Sequence, residues 1–157
     1  YEQVIVTNFP RNPSRYILPG VKRLLTRLSS SGHLLALYTG DSAAVAKKVL
    51  AATRLGQYFK FSFFGTDVPT RADMVRLAIV NAEKLTGHTF RGKDIVIIGD
   101  SIRDVECGQQ FHARTIAVAT GFHTVAELLE YRPDYIFQSL KDYRKVLEAI
   151  DKPGQEI

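Results

Sequence analysis

Ile95-Val96-Ile97-Ile98-Gly99-Asp100-Ser101-Ile102-Arg103-Asp104 is the stretch on which the fold turns. Four β-branched apolar residues run together and stop at a glycine and an acid. That is the signature of a strand buried between layers, whose carboxyl end opens directly into a helix. The same pattern recurs on both sides of it. Upstream, Leu34-Leu35-Ala36-Leu37-Tyr38 is a continuous apolar run ending in Thr39-Gly40, which predicts a second strand buried on both faces. Ser42 then opens a helix bearing Val45, Val49 and Leu50, and Phe61–Phe64 reads as a short strand. Met74, Leu77, Ala78, Ala82 and Leu85 follow at helical spacing, closed by Gly87 in a C′-like place. Downstream, Thr115–Val118 and Tyr135–Phe137 read as strands, and Thr124 with Glu127 forms a capping box for a helix between them. Ser139 with Asp142 is expected to cap a last helix bearing Leu140, Tyr143, Val146, Leu147 and Ile150. Strands alternating with helices from about Val21 onward predict an α/β fold, a three-layer α/β/α sandwich around a mostly parallel sheet.

Composition narrows the classes. The 157 residues are 45% hydrophobic and 24% charged, ordinary for one globular domain with a core. No apolar run approaches the roughly 18 residues of a membrane span, and the start, Tyr1-Glu2-Gln3-Val4-Ile5, lacks the basic and apolar regions of a signal peptide. A single cysteine, Cys107, leaves no internal disulfide and fits a reducing cytoplasm; within its helix it reads as a small packing residue. The net charge of +5 comes from Lys22, Arg23, Arg27, Lys47, Lys48, Arg76 and Lys84 among others, scattered over separate helices. With no basic stripe interleaved with aromatics, neither nucleic acid nor membrane is an expected partner. His33, His88, His112 and His123 show no metal-ligand spacing and read as surface or turn residues.

In parallel α/β sheets, ligands bind beyond the carboxyl ends of the strands. Two polar clusters fall there: Thr39-Gly40-Asp41, and Gly99-Asp100-Ser101 with Asp104. Asp100 and Asp104 around Ser101 suit a hard, oxygen-seeking cation such as magnesium. The plain alternative is that Asp100 caps a helix and Asp104 complements its dipole. Thr39, followed by a glycine and a helix start, offers a hydroxyl and amide hydrogens to a phosphate, or is only a strand-to-helix turn. Arg71, after Pro69-Thr70, can pair with a phosphate oxygen, or is an exposed arginine at a helix start.

Together these pieces resemble the haloacid dehalogenase superfamily, in its phosphoglycolate-phosphatase-like branch. Leu37-Tyr38-Thr39-Gly40-Asp41 looks like the second motif of that family, and Ile97–Asp104 like the fourth, of form GD(S/T)xxD. Arg71 stands near the place of the third-motif Lys or Arg, without its usual Lys-Pro-x-Pro surroundings. Leu18-Pro19-Gly20-Val21 is similar to the linker that re-enters the core after a cap. Ala117-Val118-Ala119-Thr120-Gly121 and Pro133–Phe137 also match the branch. The resemblance implies residues 1–17 as the end of a helical cap with its linker, and residues 18–157 as the core domain. It implies a Mg2+-dependent phosphohydrolase acting on a small phosphorylated substrate through an aspartyl-phosphate. Thr39 and Arg71 would be catalytic; Thr39, Gly40, Asp41 and Arg71 would bind phosphate; Asp100, Asp104 and Ser101 would hold the metal. A phosphosugar mutase shares every motif present, and a phosphate-binding or scaffold relative without catalysis is the reading from another class. A metal-independent dehalogenase has less use for both Asp100 and Asp104.

The first motif of the family, DxDx(T/V), supplies the nucleophile, and no Asp-x-Asp occurs anywhere in the chain. In the family that motif's strand lies between those of the second and fourth motifs. The chain is therefore expected to be incomplete and inactive by itself, its strands at Leu34–Tyr38 and Ile95–Ile98 not pairing with each other. Either Tyr1–Pro13 ends a helical cap, with Tyr1, Val4, Ile5 and Phe9 at helical spacing, or Val4-Ile5-Val6 is a degenerate first strand.

Overall fold

A computed structural model describes residues 12–152. The two readings of the amino-terminal stretch, as helical cap end and as strand Val4–Val6, lie outside the described residues. Of that stretch only Asn12 and Pro13 are described, and Pro13 opens a 3₁₀ turn over Pro13–Tyr16. The chain divides after Gly87 into two compact units.

The first unit contains helix α1 (Val21–Ser30), strand β1 (Ala36–Thr39), helix α2 (Ala43–Thr53), strand β2 (Phe61–Phe64) and helix α3 (Arg71–Thr86). Strands β1 and β2 pair in parallel, Ala36 opposite Phe61 through Thr39 opposite Phe64. Parallel neighbours need a crossover, which α2 supplies. Its start is fixed by Ser42, whose side chain accepts from the Val45 amide at 3.4 Å. Helix α3 packs on both strands. Thr70 caps it by accepting from the Asp73 amide at 3.1 Å, and Gly87 ends it in the left-handed region at φ 73°. That conformation carries a steric cost for any residue with a β-carbon. The core of this unit is Leu24 and Leu28 of α1, Val45 and Ala46 of α2, Phe64 and Val68, and Met74, Val75 and Ala82 of α3. Two members of the α3 apolar stripe, Leu77 and Leu85, are 42% and 57% exposed instead.

The second unit contains β3 (Val96–Gly99), α4 (Ile102–Gln110), β4 (Arg114–Val118), α5 (Val125–Glu130), β5 (Tyr135–Phe137) and α6 (Tyr143–Asp151). Its sheet is parallel throughout in the order β3-β4-β5. All five residues of β4 are buried. Val105, Ala117 and Leu128 form a core with Ile102, Ala119, Tyr131 and Ile136 around it. The capping box at α5 is present: the Thr124 amide donates to Glu127 at 2.7 Å, and the Glu127 amide to the Thr124 hydroxyl at 3.3 Å. Two polar anchors fix the sheet, one buried at Arg114 and one exposed at Asp134. The Arg114 guanidinium donates to the carbonyls of Ala149 and Ile150 at the end of α6, where the dipole also favours a cation. Asp134 accepts from the Thr115 amide at 2.8 Å and from Lys93 at 2.9 Å.

Several expectations need correction. Strand β1 is not buried on both faces: Ala36 is exposed and Leu37, Tyr38 and Thr39 are half-buried, because only β2 flanks it among the described residues. Leu34 and Leu35 precede the strand, and β3 likewise begins one residue late and extends to Gly99. Ser139 does not cap the last helix, and Leu140 lies outside it. The Ser139 hydroxyl accepts from the Lys141 amide at 3.3 Å, closing a local turn that competes with helix. Helix α6 starts four residues later, with Asp142 at its N-cap position making no side-chain cap bond. Among the described residues, β1 pairs with β2 in the first unit, and β3 pairs with β4 in the second. Among the described residues no helix is long and apolar enough to cross a membrane.

Candidate active site

Thr39 is the last residue of β1, and the Asp41 amide donates to its hydroxyl oxygen at 3.1 Å. That bond uses a lone pair of Thr39 and leaves its proton to be donated. Other amides at this strand-to-helix junction are committed within the protein: Ala43 donates to the Thr66 hydroxyl at 3.1 Å, and Val45 to Ser42. The loop after β2 presses against the loop after β1. Gly65 donates to the Asp41 carbonyl at 2.9 Å, and a β-carbon on Gly65 would overlap the Gly40 carbonyl. Gly65 thus holds the Thr39-Gly40-Asp41 turn in shape, a role that sequence reading missed.

Arg71 is the first residue of α3 and lies over the Tyr38 ring, 5.9 Å from guanidinium carbon to ring centroid. Successive side chains of a strand leave on opposite faces. The Tyr38 contact therefore brings Arg71 to the end of β1, on the face opposite to the Thr39 side chain. The tyrosine that positions this arginine stands one residue before the threonine that carries the motif.

In the second unit, the acids of the fourth motif take different environments. Asp104 is 6% exposed, and its Oδ2 accepts from the Ser101 amide at 3.1 Å and the Ser101 hydroxyl at 2.7 Å. Ser101, and not Asp100, is the N-cap residue of α4. A β-carbon on Gly99 would occupy the space of the Asp104 carboxyl group, so the motif glycine is what lets this acid fold back against the strand end. Asp100 is exposed at the carboxyl end of β3, and its carboxylate lies against Gly121 in the loop after β4. One acid is held and the other is presented. Two carboxylates and a hydroxyl form an all-oxygen donor set, the kind hard divalent cations take. Among the described residues no group of three or more His, Cys, Asp or Glu is arranged to hold a metal.

The remaining polar candidates stay outside these clusters. Cys107 is buried, as its packing role predicts. His88 is exposed and His112 sits in a left-handed turn after α4 at φ 53°. His33 and His123 depart from the surface reading: both are half-buried, with a buried Nδ1. An open groove of about 770 Å3 runs along α2 and β2, lined by Lys47, Leu50, Arg54, Ser62, Phe64 and Asp67 among others. No motif residue lines it. Its mixed charges favour no single ligand sign.

Comparison with known proteins bears on the fold and on the family that the chain is similar to. Residues 73–143 match a family described as HAD-hydrolase-like. A probable phosphatase from Dickeya dadantii is 30% identical over 155 residues, covering 96% of this chain and 62% of its own length. A phosphoglycolate phosphatase from Nitrosococcus oceani is 22% identical over 148 residues, covering 93% and 64%. The chain thus spans about three fifths of the length of these curated relatives. Among solved structures, a predicted phosphoglycolate phosphatase from Haemophilus somnus superposes with a TM-score of 0.76 at 20% identity, covering 94% of this chain and 62% of that one. That likeness shows the fold, an α/β Rossmann-like sandwich. With the second- and fourth-motif residues in order at the ends of parallel strands, the chain is similar to haloacid dehalogenase-like phosphatases.

Proposed function

We propose that these residues form the metal- and phosphate-binding part of a magnesium-dependent phosphohydrolase that acts on a small phosphorylated metabolite in a reducing cytoplasm. The observation that carries the reading is the pairing of a presented acid, Asp100, with a held acid, Asp104, at the end of β3. Magnesium keeps several waters and is typically bound by one or two carboxylates plus substrate phosphate, so a two-acid site fits it. Asp100 would ligate the ion. Asp104, oriented by Ser101, would hold the metal shell, with the Ser101 oxygen beside it. Magnesium bound there would neutralise phosphoryl charge and hold the group for in-line attack.

In the first unit, the Thr39 hydroxyl would donate to a phosphoryl oxygen, with the Gly40 amide at the same anion and the Asp41 amide holding the Thr39 hydroxyl in place. Arg71 would neutralise charge in the transition state after leaving the Tyr38 ring. The attacking carboxylate of an aspartyl-phosphate route is not among these 157 residues, since no Asp-x-Asp occurs in them. The proposal places it on a segment supplied from outside this sequence.

The test uses a form of the protein that includes such a segment. Asp100→Asn should abolish magnesium-dependent hydrolysis, Thr39→Ala should lower kcat about 10²–10³-fold, and Arg71→Ala should cost less. Wild-type rates from Asp100→Asn at saturating magnesium would remove Asp100 from the metal site. Net transfer of phosphate between positions of a phosphosugar, without its release, would replace the hydrolase with a mutase.

A further inference from the structure

We infer that Gly121 is a positioning residue for the Asp100 carboxylate, and so sets the metal affinity of the site; this rests on the reading of Asp100 as a metal ligand. A β-carbon built on Gly121 would stand 2.5 Å from Asp100 Oδ2, 2.7 Å from its Cγ and 3.1 Å from its Cβ. Favourable contacts between such atoms begin near about 3.5 Å. The bare α-carbon of Gly121 is therefore one wall of the space that the carboxylate fills.

The wall is fixed by its neighbours. Strand β3 ends with Gly99 opposite Ala117 of β4, so the chain leaving β4 passes beside the residue that follows Gly99. The Ala119 amide donates to the Phe137 carbonyl at 2.9 Å, and the Thr120 amide to the Val118 carbonyl at 2.8 Å. Three residues beyond Gly121, Thr124 is locked in its capping box with Glu127. The loop is anchored on both sides, whereas Asp100 is an exposed side chain with rotamers available to it. An added methyl group moves the carboxylate and not the loop.

Gly121 is also absent from the glycines with positive φ. Alanine is conformationally acceptable there, and the substitution tests contact rather than backbone strain. The exposed ring of Phe122 next door provides a control in the same loop.

The experiment titrates Mn2+, as a spectroscopic stand-in for magnesium, into the 157-residue chain and follows bound metal by electron paramagnetic resonance, with thermal melting in parallel. Gly121→Ala and Gly121→Ser add the same β-carbon. Both should weaken Mn2+ binding about 10–100-fold, the range seen when groups supporting a metal ligand are altered, with the melting midpoint of the metal-free protein unchanged. Phe122→Ala should leave affinity unchanged. Wild-type affinity in both Gly121 variants, alongside loss of binding in Asp100→Asn, overturns the role of Gly121 alone. An affinity loss in the Gly121 variants that tracks an equal loss in melting midpoint also overturns it. No saturable binding in the wild type, or binding unaltered in Asp100→Asn, overturns the metal reading of Asp100 and the inference with it.

Discussion

Strands β1 and β4 are both short apolar strands in parallel ladders, yet one is sealed and the other is open. Every residue of β4 is buried, including Arg114 and Thr115, whereas β1 has one exposed residue and three that are half-buried. The cause is pairing. Strand β4 has β3 on one side and β5 on the other, while β1 has β2 alone among the described residues. Side-chain composition does not separate the two cases: β4 carries the charged Arg114 and the polar Thr115 and is sealed, whereas β1, Ala36-Leu37-Tyr38-Thr39, carries no charge and is open. Apolar content reports which strands are suited to a central position, and the neighbours present decide whether that position is realised.

Truncation at the two strands should break or uphold this contrast. Ile116→Ala removes a side chain that is 1% exposed and should cost about 2–5 kcal/mol in denaturant unfolding. Leu37→Ala, at a half-buried position, should cost about 1–2 kcal/mol, a fraction of the value for full burial. Equal costs would mean that the exposure of β1 has no energetic meaning.

The next effect tests whether the sealed unit depends on its polar anchor. Arg114→Ala leaves the carbonyls of Ala149 and Ile150 without their guanidinium donor, at about 1–3 kcal/mol. Hydrogen exchange should show the loss concentrated in the last turn of α6. Protection unchanged there would show that the carbonyls find another donor.

The smallest effect is pH-dependent. Burial raises the Asp134 pKa, but the Thr115 amide, Lys93 and the Thr115 hydroxyl together outweigh it and leave the carboxyl below its ordinary value. A group depressed in the folded state stabilises above its unfolded pKa and loses that contribution as pH falls through the folded one. Asp134→Asn should therefore be less stable than wild type at neutral pH. The difference should shrink as pH drops below about 4, the ordinary carboxylate range. A difference constant from neutral pH into strong acid would assign it to hydrogen bonding by either form, without linkage.

Much of this was legible in the sequence because local chemistry decided it. Phe61–Phe64 and Tyr135–Phe137 are strands over those residues, and Ser42, Gly87 and Thr124 mark helix ends through side-chain or backbone features that act over three or four positions. Boundaries drifted at β1 and β3, where the ladder continues to Thr39 and Gly99 after the aliphatic run has stopped. The helix start near Ser139 was misplaced because serine closes turns as readily as it caps helices. Motif acids and Thr39 could be named in advance. Gly65 and Gly121 could not, since each matters through a residue distant in sequence, Gly40 or Asp100, which only the folded chain brings against it. The seat of Arg71 on Tyr38 is likewise a tertiary contact with no local signal.

Under the proposed function, these 157 residues carry ligands for metal and phosphate but not the attacking carboxylate. Its most direct test is an assay of the purified chain with an aryl phosphate and saturating magnesium. No turnover above that of the variant Asp100→Asn is expected. Hydrolysis that survives repurification and disappears in Asp100→Asn would contradict it, because a nucleophile would then have to lie within the chain.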